Sequence, residues 1–216
     1  LSTILSFSIL AQKQVDFKYN LELNKTYLIK SSVVQNSTQT MQGMQQSMQT
    51  TNKFVFSLKP LKNIESNIIA EVRFDTINTT ISMPQMEIYS SRPGDMKSGD
   101  PAKVMECIMN RLSNSTFLVK MENTGKVLEI INFEQASSVV LDGIDSIKGP
   151  MADMLKVQAK NMVDQNAIKT MIESVTAFLP GKTVNVGEKW ESNMLFAASG
   201  MEMKVSGTYK LNGIEN

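Results

Sequence analysis

Sulfur is the most conspicuous chemistry in this chain, which has 16 methionines, one cysteine and no histidine. Met41-x-x-Met44-x-x-x-Met48 has the kind of thioether spacing that holds soft Cu(I), and Met83-x-x-Met86 and Met151-x-x-Met154 repeat part of it. The plainer reading is that Met fills irregular apolar space and lines adaptable binding surfaces. Without imidazole or a nearby thiol, a copper site would rest on thioethers alone. No metal and no other cofactor is therefore expected.

The remaining reactive groups carry less. Glu188 and Glu191 flank Trp190, but acid/base hydrolysis needs two carboxyls at a fixed separation with divergent pKa values, and an exposed strand or turn gives the same spacing. Cys107 sits on an apolar helical face with no imidazole anywhere to activate it, so it reads as a small buried hydrophobe. There is no Gly-x-Ser-x-Gly elbow, Walker loop, Gly-rich dinucleotide fingerprint or EF-hand loop. The chain is read as non-enzymatic. Lys and Arg number 22 against 21 Asp and Glu, leaving a net charge of +1, too little basic field to attract nucleic acid.

The elements that would position these groups follow from periodicity. The 216 residues suit one large domain or two small ones at roughly 150 residues each, and no linker or repeat divides them. Alternation at Val15, Phe17, Tyr19, Leu21 and Leu23 predicts a strand, and a second returns over 27–34. The Thr- and Gln-rich stretch 35–53 reads as an exposed strand or flexible loop, with Gly43 a candidate bulge, before a strand at 54–58. Ile68, Ala70, Val72 and Phe74 share one face. The phase then flips to Ile77, Thr79, Ile81 and Met83, which requires a bulge or bend. Asp100-Pro101 is a helix start, followed by Val104, Met105, Ile108, Met109 and Leu112 at helical spacing. Residues 117–131 read as a hairpin. Asn132 with Gln135 resembles a capping box before an apolar stripe running from Ala136 to Ile147. Further helices carry Met151, Met154, Leu155, Ala159 and Met162, then Ile168, Met171, Ile172, Val175 and Leu179, before strands return at the end. Strands in hairpins and helices in a block predict an α+β fold: a curved antiparallel sheet, half-barrel-like, packed by about four amphipathic helices.

The opening LSTILSFSILAQ is apolar, uncharged and too short for the about 20 residues that span a bilayer. It fits the remnant of a secretory signal peptide over residues 1–12, against the alternative of a buried first strand. Residues 13–216 would then form a single domain truncated at its C-terminus, with an edge strand expected to be missing. An export signal without paired cysteines points to a bacterial periplasm, envelope or cell surface. Asn24, Asn36, Asn78 and Asn114 begin N-x-Ser/Thr triplets, and Asp75-Thr76 and Asp145-Ser146 begin short O-glycosylation-like ones; such patterns recur by chance in an Asn- and Thr-rich chain.

Several segments together carry a resemblance: Tyr19-x-Leu21-x-Leu23 with Lys25-Thr26-Tyr27, the hairpin at 38–51, Gly125-Lys126-Val127-Leu128-Glu129, Phe178-Leu179-Pro180, Val184-x-Val186-Gly187-Glu188-Lys189-Trp190, and the closing strand at 203–211. Their order is similar to that of a family of exported Bacteroidetes proteins known only as a domain of unknown function. Its motifs are structural turns and strands, so the resemblance implies no catalytic residues. The element order also resembles the half-barrel of lipoprotein carriers (LolA- and LolB-like), which hold acyl chains between a curved sheet and helices.

The expectation is a lipid or other apolar ligand bound between sheet and helices, lined by Phe54, Phe56, Met105, Met109, Met154, Met171 and Trp190. The alternative is a structural or protein-interaction module at the cell surface with an envelope protein as partner. No transmembrane segment is expected.

Overall fold

A computed structural model describes residues 14–41, 44–82, 85–198 and 201–213. Its fold is α+β. The spine is an antiparallel sheet formed by β2 (Tyr27–Met41), β3 (Met44–Ile64), β4 (Asn67–Ser82), β6 (Thr116–Glu122) and β7 (Val127–Ile130), in that order. A further strand, β5 (Gln85–Tyr89), pairs with the far end of β4. β4 is thus shared along its length: residues 67–73 pair with β6 and residues 78–82 with β5. Among the described residues the sheet is open, with β2 and β7 at the ends of the strand order and β5 paired on one side only.

The phase flip predicted in β4 is a bulge. Val55 pairs with Thr76 and Phe56 with Phe74, so Asp75 is the extra residue. Ser57 donates to one Asp75 oxygen and Arg73 Nε donates to the other at 2.7 Å, which holds the irregular backbone in place. A second irregularity lies between Pro60 and Lys62, where a strand proline without an N–H is tolerated. Gly43, the candidate bulge of the sequence reading, lies outside the described residues. The Thr- and Gln-rich stretch around it is strand, with β2 and β3 in unbroken register from Tyr27↔Leu58 to Met41↔Met44.

Four helices cover one face of the sheet: α1 (Pro101–Ser113), α2 (Phe133–Val140), α3 (Ala152–Met162) and α4 (Gln165–Thr176). Asp100 caps α1, accepting from Ala102 N–H at 2.9 Å, with Pro101 in the first turn as its sequence required. Asp164 caps α4 from Asn166 and Ala167 N–H. The core lies between the layers, where Phe56, Leu58, Val72, Phe74, Phe117, Val119 and Met121 meet Ile108 and Leu112 of α1. Phe74 centres an aromatic run, 4.8 Å from Phe56 and 5.9 Å edge-on from Phe117.

Three expectations are corrected. The strand over 15–23 is only β1 (Gln14–Asp16). Beyond it, Phe17 N–H bonds Lys182 C=O and Tyr19 N–H bonds Asn123 C=O, so the backbone is satisfied by loops rather than by a continuing ladder. Asn132 does not cap α2 with its side chain. It lies beside β6 instead, accepting from Leu118 N–H at 2.7 Å and donating to Thr116 C=O at 2.9 Å. The apolar stripe from Ala136 to Ile147 is not one helix: α2 ends at Val140, Gly143 turns left-handed (φ 73°), and a 3-10 turn at Ile144–Ser146 brings Ile144 and Ile147 inward.

The ends of the described chain meet. β8 (Thr183–Asn185) pairs with β1, and β9 (Lys189–Ala198) forms a hairpin with β10 (Met201–Lys210).

Candidate functional site

The seven residues expected to line an apolar site occupy three different settings. Phe56, Met105 and Met109 are buried within the continuous core, and Phe54 and Met171 are half-buried against it. Trp190 belongs to a separate aromatic cluster, 5.2 Å from Phe17 and stacked 5.8 Å from Tyr209, with its indole N–H donating to Phe178 C=O at 2.8 Å. Met154 alone faces solvent, 54% exposed. The structure does not gather these seven around a common described depression.

The depressions that are described are polar. One, of about 210 Å³, lies on the uncovered face of the sheet and is lined by Thr26, Ser57, Lys59, Glu71, Arg73 and Thr116. Its charges pair in place, Arg73 with Asp75 at 2.6 Å and Lys59 with Glu71 at 3.9 Å. Ser57 donates to a carboxylate already held by a guanidinium. That arrangement braces the bulge.

The carboxylates of the sequence reading are not brought into one acid/base pair. Glu188 closes a turn, accepting from Asn185 N–H at 3.1 Å and from Lys182 Nζ at 3.0 Å. These bonds, the backbone one first, hold its carboxyl below the usual range. Glu191 is exposed on β9 opposite Thr208. Glu106 is a buried carboxylate that sequence reasoning missed, since it sits among apolar residues of α1. Arg92 reaches it at 2.8 Å while lying over the Tyr89 ring, 4.4 Å from its centroid, so the charge is paired. Cys107 is buried beside Gly94, where any Cβ would come within 2.2 Å of its backbone nitrogen. Among the described residues, no group of three or more Cys, Asp and Glu could hold a metal ion. The side chains of Met41 and Met44, and all of Met83, lie outside the described residues.

What remains is apolar surface on the helical layer. On α3, Leu155 and Ala159 point inward, while Met154 and Val157 (59% exposed) point out, with Met151 exposed just before the helix. At 100° per residue, Val157 lies opposite the inward-facing Leu155 and Ala159, with Met154 about 60° to one side of it and Lys160 about 60° to the other. Met151-x-x-Met154, which repeats part of the thioether spacing, therefore has both of its flexible apolar side chains displayed to solvent. Val139 of α2, expected in the apolar stripe, is also exposed, the inward side of the helix being that of Ala136, Ser137 and Val140.

Among the described residues, no helix is long and apolar enough to cross a membrane. No curated protein and no solved structure matches the chain. The family model of DUF6263, a family of unknown function, matches residues 65–216, from the second half of the central hairpin through every helix to the closing strands, and the chain belongs to that family.

Proposed function

We propose that this chain is an exported, non-enzymatic envelope protein whose helical layer contacts a lipid or another apolar ligand. The observation that carries the reading is the solvent-facing Met151, Met154 and Val157 on and beside α3, in a helix whose opposite side is anchored by Leu155 and Ala159. Export rests on the apolar, signal-like residues 1–12. The similarity in element order to lipoprotein carriers and to exported Bacteroidetes proteins supports the same compartment and ligand class, at the level of fold analogy. Phe56, Met105 and Met109 are occupied in packing, which supports a contact on the outer side of α3 rather than deep between sheet and helices.

The test is native mass spectrometry of protein purified without detergent, before and after incubation with phosphatidylethanolamine/phosphatidylglycerol vesicles, followed by solvent extraction. A stoichiometric adduct that is lost in Met154→Lys/Val157→Lys is expected. A clean apo mass throughout would sink the reading. It would favour the second one, a structural or protein-interaction module at the cell surface, for which the open edge of β2 is the supporting observation.

A further inference from the structure

The two end strands in the order of the six-stranded sheet, β2 and β7, are treated differently by the chain. β7 is four residues long, and the N–H of its first residue, Val127, is taken by the Glu173 carboxylate of α4 at 2.7 Å. Natural sheets blunt their edges in this way, by shortness, covering elements, charge, proline or bulges. Among the described residues, β2 has one such device, the single charge of Lys30, and is otherwise unblunted. It is 15 residues long, has no proline and no glycine, carries Lys30 as its sole charge, and runs against β3 without a register shift. Among the described residues β3 is its only strand partner. Leu28, Val33 and Val34 are exposed along it, at 63%, 47% and 56%. Alternate residues of such an edge present N–H and C=O groups to whatever lies alongside.

We propose that the free edge of β2 pairs antiparallel with β2 of a second copy of this chain, about a two-fold axis at Val34. Three features select a copy of itself as the occupant. Val34 is the midpoint of Tyr27–Met41, so a pairing centred there uses the whole strand. It sets Val34 opposite Val34 of the second copy, which covers the exposed pair Val33 and Val34 at the centre of the contact, where a self-complementary interface places its apolar residues. It also sets Lys30 opposite Thr38 of the second copy, so that the single charge of the strand never faces its own image. A slip that put Lys30 opposite Lys30 would both repel and leave half the strand unpaired.

The size of the contact sets its strength. Fifteen residues at about 3.4 Å make a strand about 50 Å long, and a sheet is about 10 Å thick. The contact then buries roughly 1,000 Å² in total, at the lower limit for a specific interface. A reversible, concentration-dependent dimer follows.

Sedimentation equilibrium on the 216-residue chain without lipid or detergent tests this, and its outcome is independent of any ligand on α3. The wild-type chain is expected to shift from monomer to dimer with concentration. Val34→Lys alone and Val34→Glu alone place like charges across the axis and are expected to weaken association at least about tenfold, whereas an equimolar mixture of the two recovers it. Val34 is solvent-exposed, so both variants should keep the wild-type circular dichroism. A wild-type chain that stays monomeric at millimolar concentration would overturn the proposal. So would a dimer whose strength is indifferent to both variants, or variants that fail to recover on mixing. The last two results would mean a different interface, or a strand of another protein as the occupant.

Discussion

The Glu173 carboxylate accepts the N–H of Val127 at 2.7 Å, joining the third turn of α4 to the first residue of β7. Partial burial pushes the Glu173 carboxyl up from its ordinary value, more than this hydrogen bond pulls it down. A carboxyl whose pKa is raised on folding contributes stability that is complete below the unfolded value and is lost as pH rises through the folded one. Glu173→Gln keeps an oxygen acceptor and removes the ionisation. Its melting temperature is therefore expected to equal or exceed that of the wild type at neutral pH, with the gap closing in acid below the unfolded-state value. Glu173→Ala strands the fully buried Val127 N–H and is expected to cost about 1–3 kcal/mol in urea unfolding.

Burial raises the Tyr19 phenol to about 12, while its hydroxyl donates to Thr176 C=O at 3.2 Å. The unfolded chain ionises this group near pH 10 and the folded one only near 12, so the stability it contributes is intact below 10 and lost as pH climbs between them. An absorbance titration should show a late phenol step near pH 12, and Tyr19→Phe should remove it. A titration curve that Tyr19→Phe leaves unchanged near pH 12 would contradict the burial.

Gly125 is expected to tolerate nothing larger. Its φ is +91°, a Cβ there would fall 2.0 Å from the Thr176 carbonyl oxygen, and its own carbonyl accepts from Thr176 Oγ1 at 2.7 Å. Gly125→Ala therefore both strains the turn and forces α4 away from the β6–β7 hairpin. A loss of several kcal/mol, on the order of 3 or more, is expected by denaturant titration. Gly149→Ala is the control: it too has positive φ (107°) but meets nothing within 4 Å, so only the backbone strain should register.

Phe74→Ala removes the centre of the Phe56–Phe74–Phe117 run from a position with no exposure. The expected loss is about 3–5 kcal/mol, from transfer and cavity terms together. Because Phe74 sits one residue before the bulge, β4 hydrogen exchange should accelerate on both limbs, toward β5 and toward β6.

Local signals were read well where a single physical cause acts. The Asp100-Pro101 start, the period-two face from Ile68 to Phe74 and the slip of phase after it each follow from neighbouring residues, and each is in the structure. Signals failed where distant partners compete. Val15–Leu23 alternates like a strand, yet its backbone is claimed by Asn123 and Lys182, more than a hundred residues away. Asn132 had two uses open to it, and the edge of β6 won over the helix cap. The pattern of apolar residues named which side chains avoid water, so Phe56, Met105 and Met109 are buried. It could not separate a core filled by its own side chains from one lined for a guest. Nor could it show that Met154 lies on the outward flank of its helix, since a Met stripe looks alike from either side.

The seam of β1 with β8 bears on how the chain assembles in time. Most of the sheet is made of hairpins between sequence neighbours, which close quickly. The Gln14↔Asn185 pair and the Phe17–Trp190 contact instead wait on partners more than a hundred residues away in sequence. A chain emerging from the ribosome carries its first strand unmatched until residue 185 and beyond have been made. While the residues between β1 and β8 are being made, the nascent chain thus builds its hairpins with β1 still unpaired. Trp190, the sole tryptophan, should report the closure of that seam as the last event in refolding.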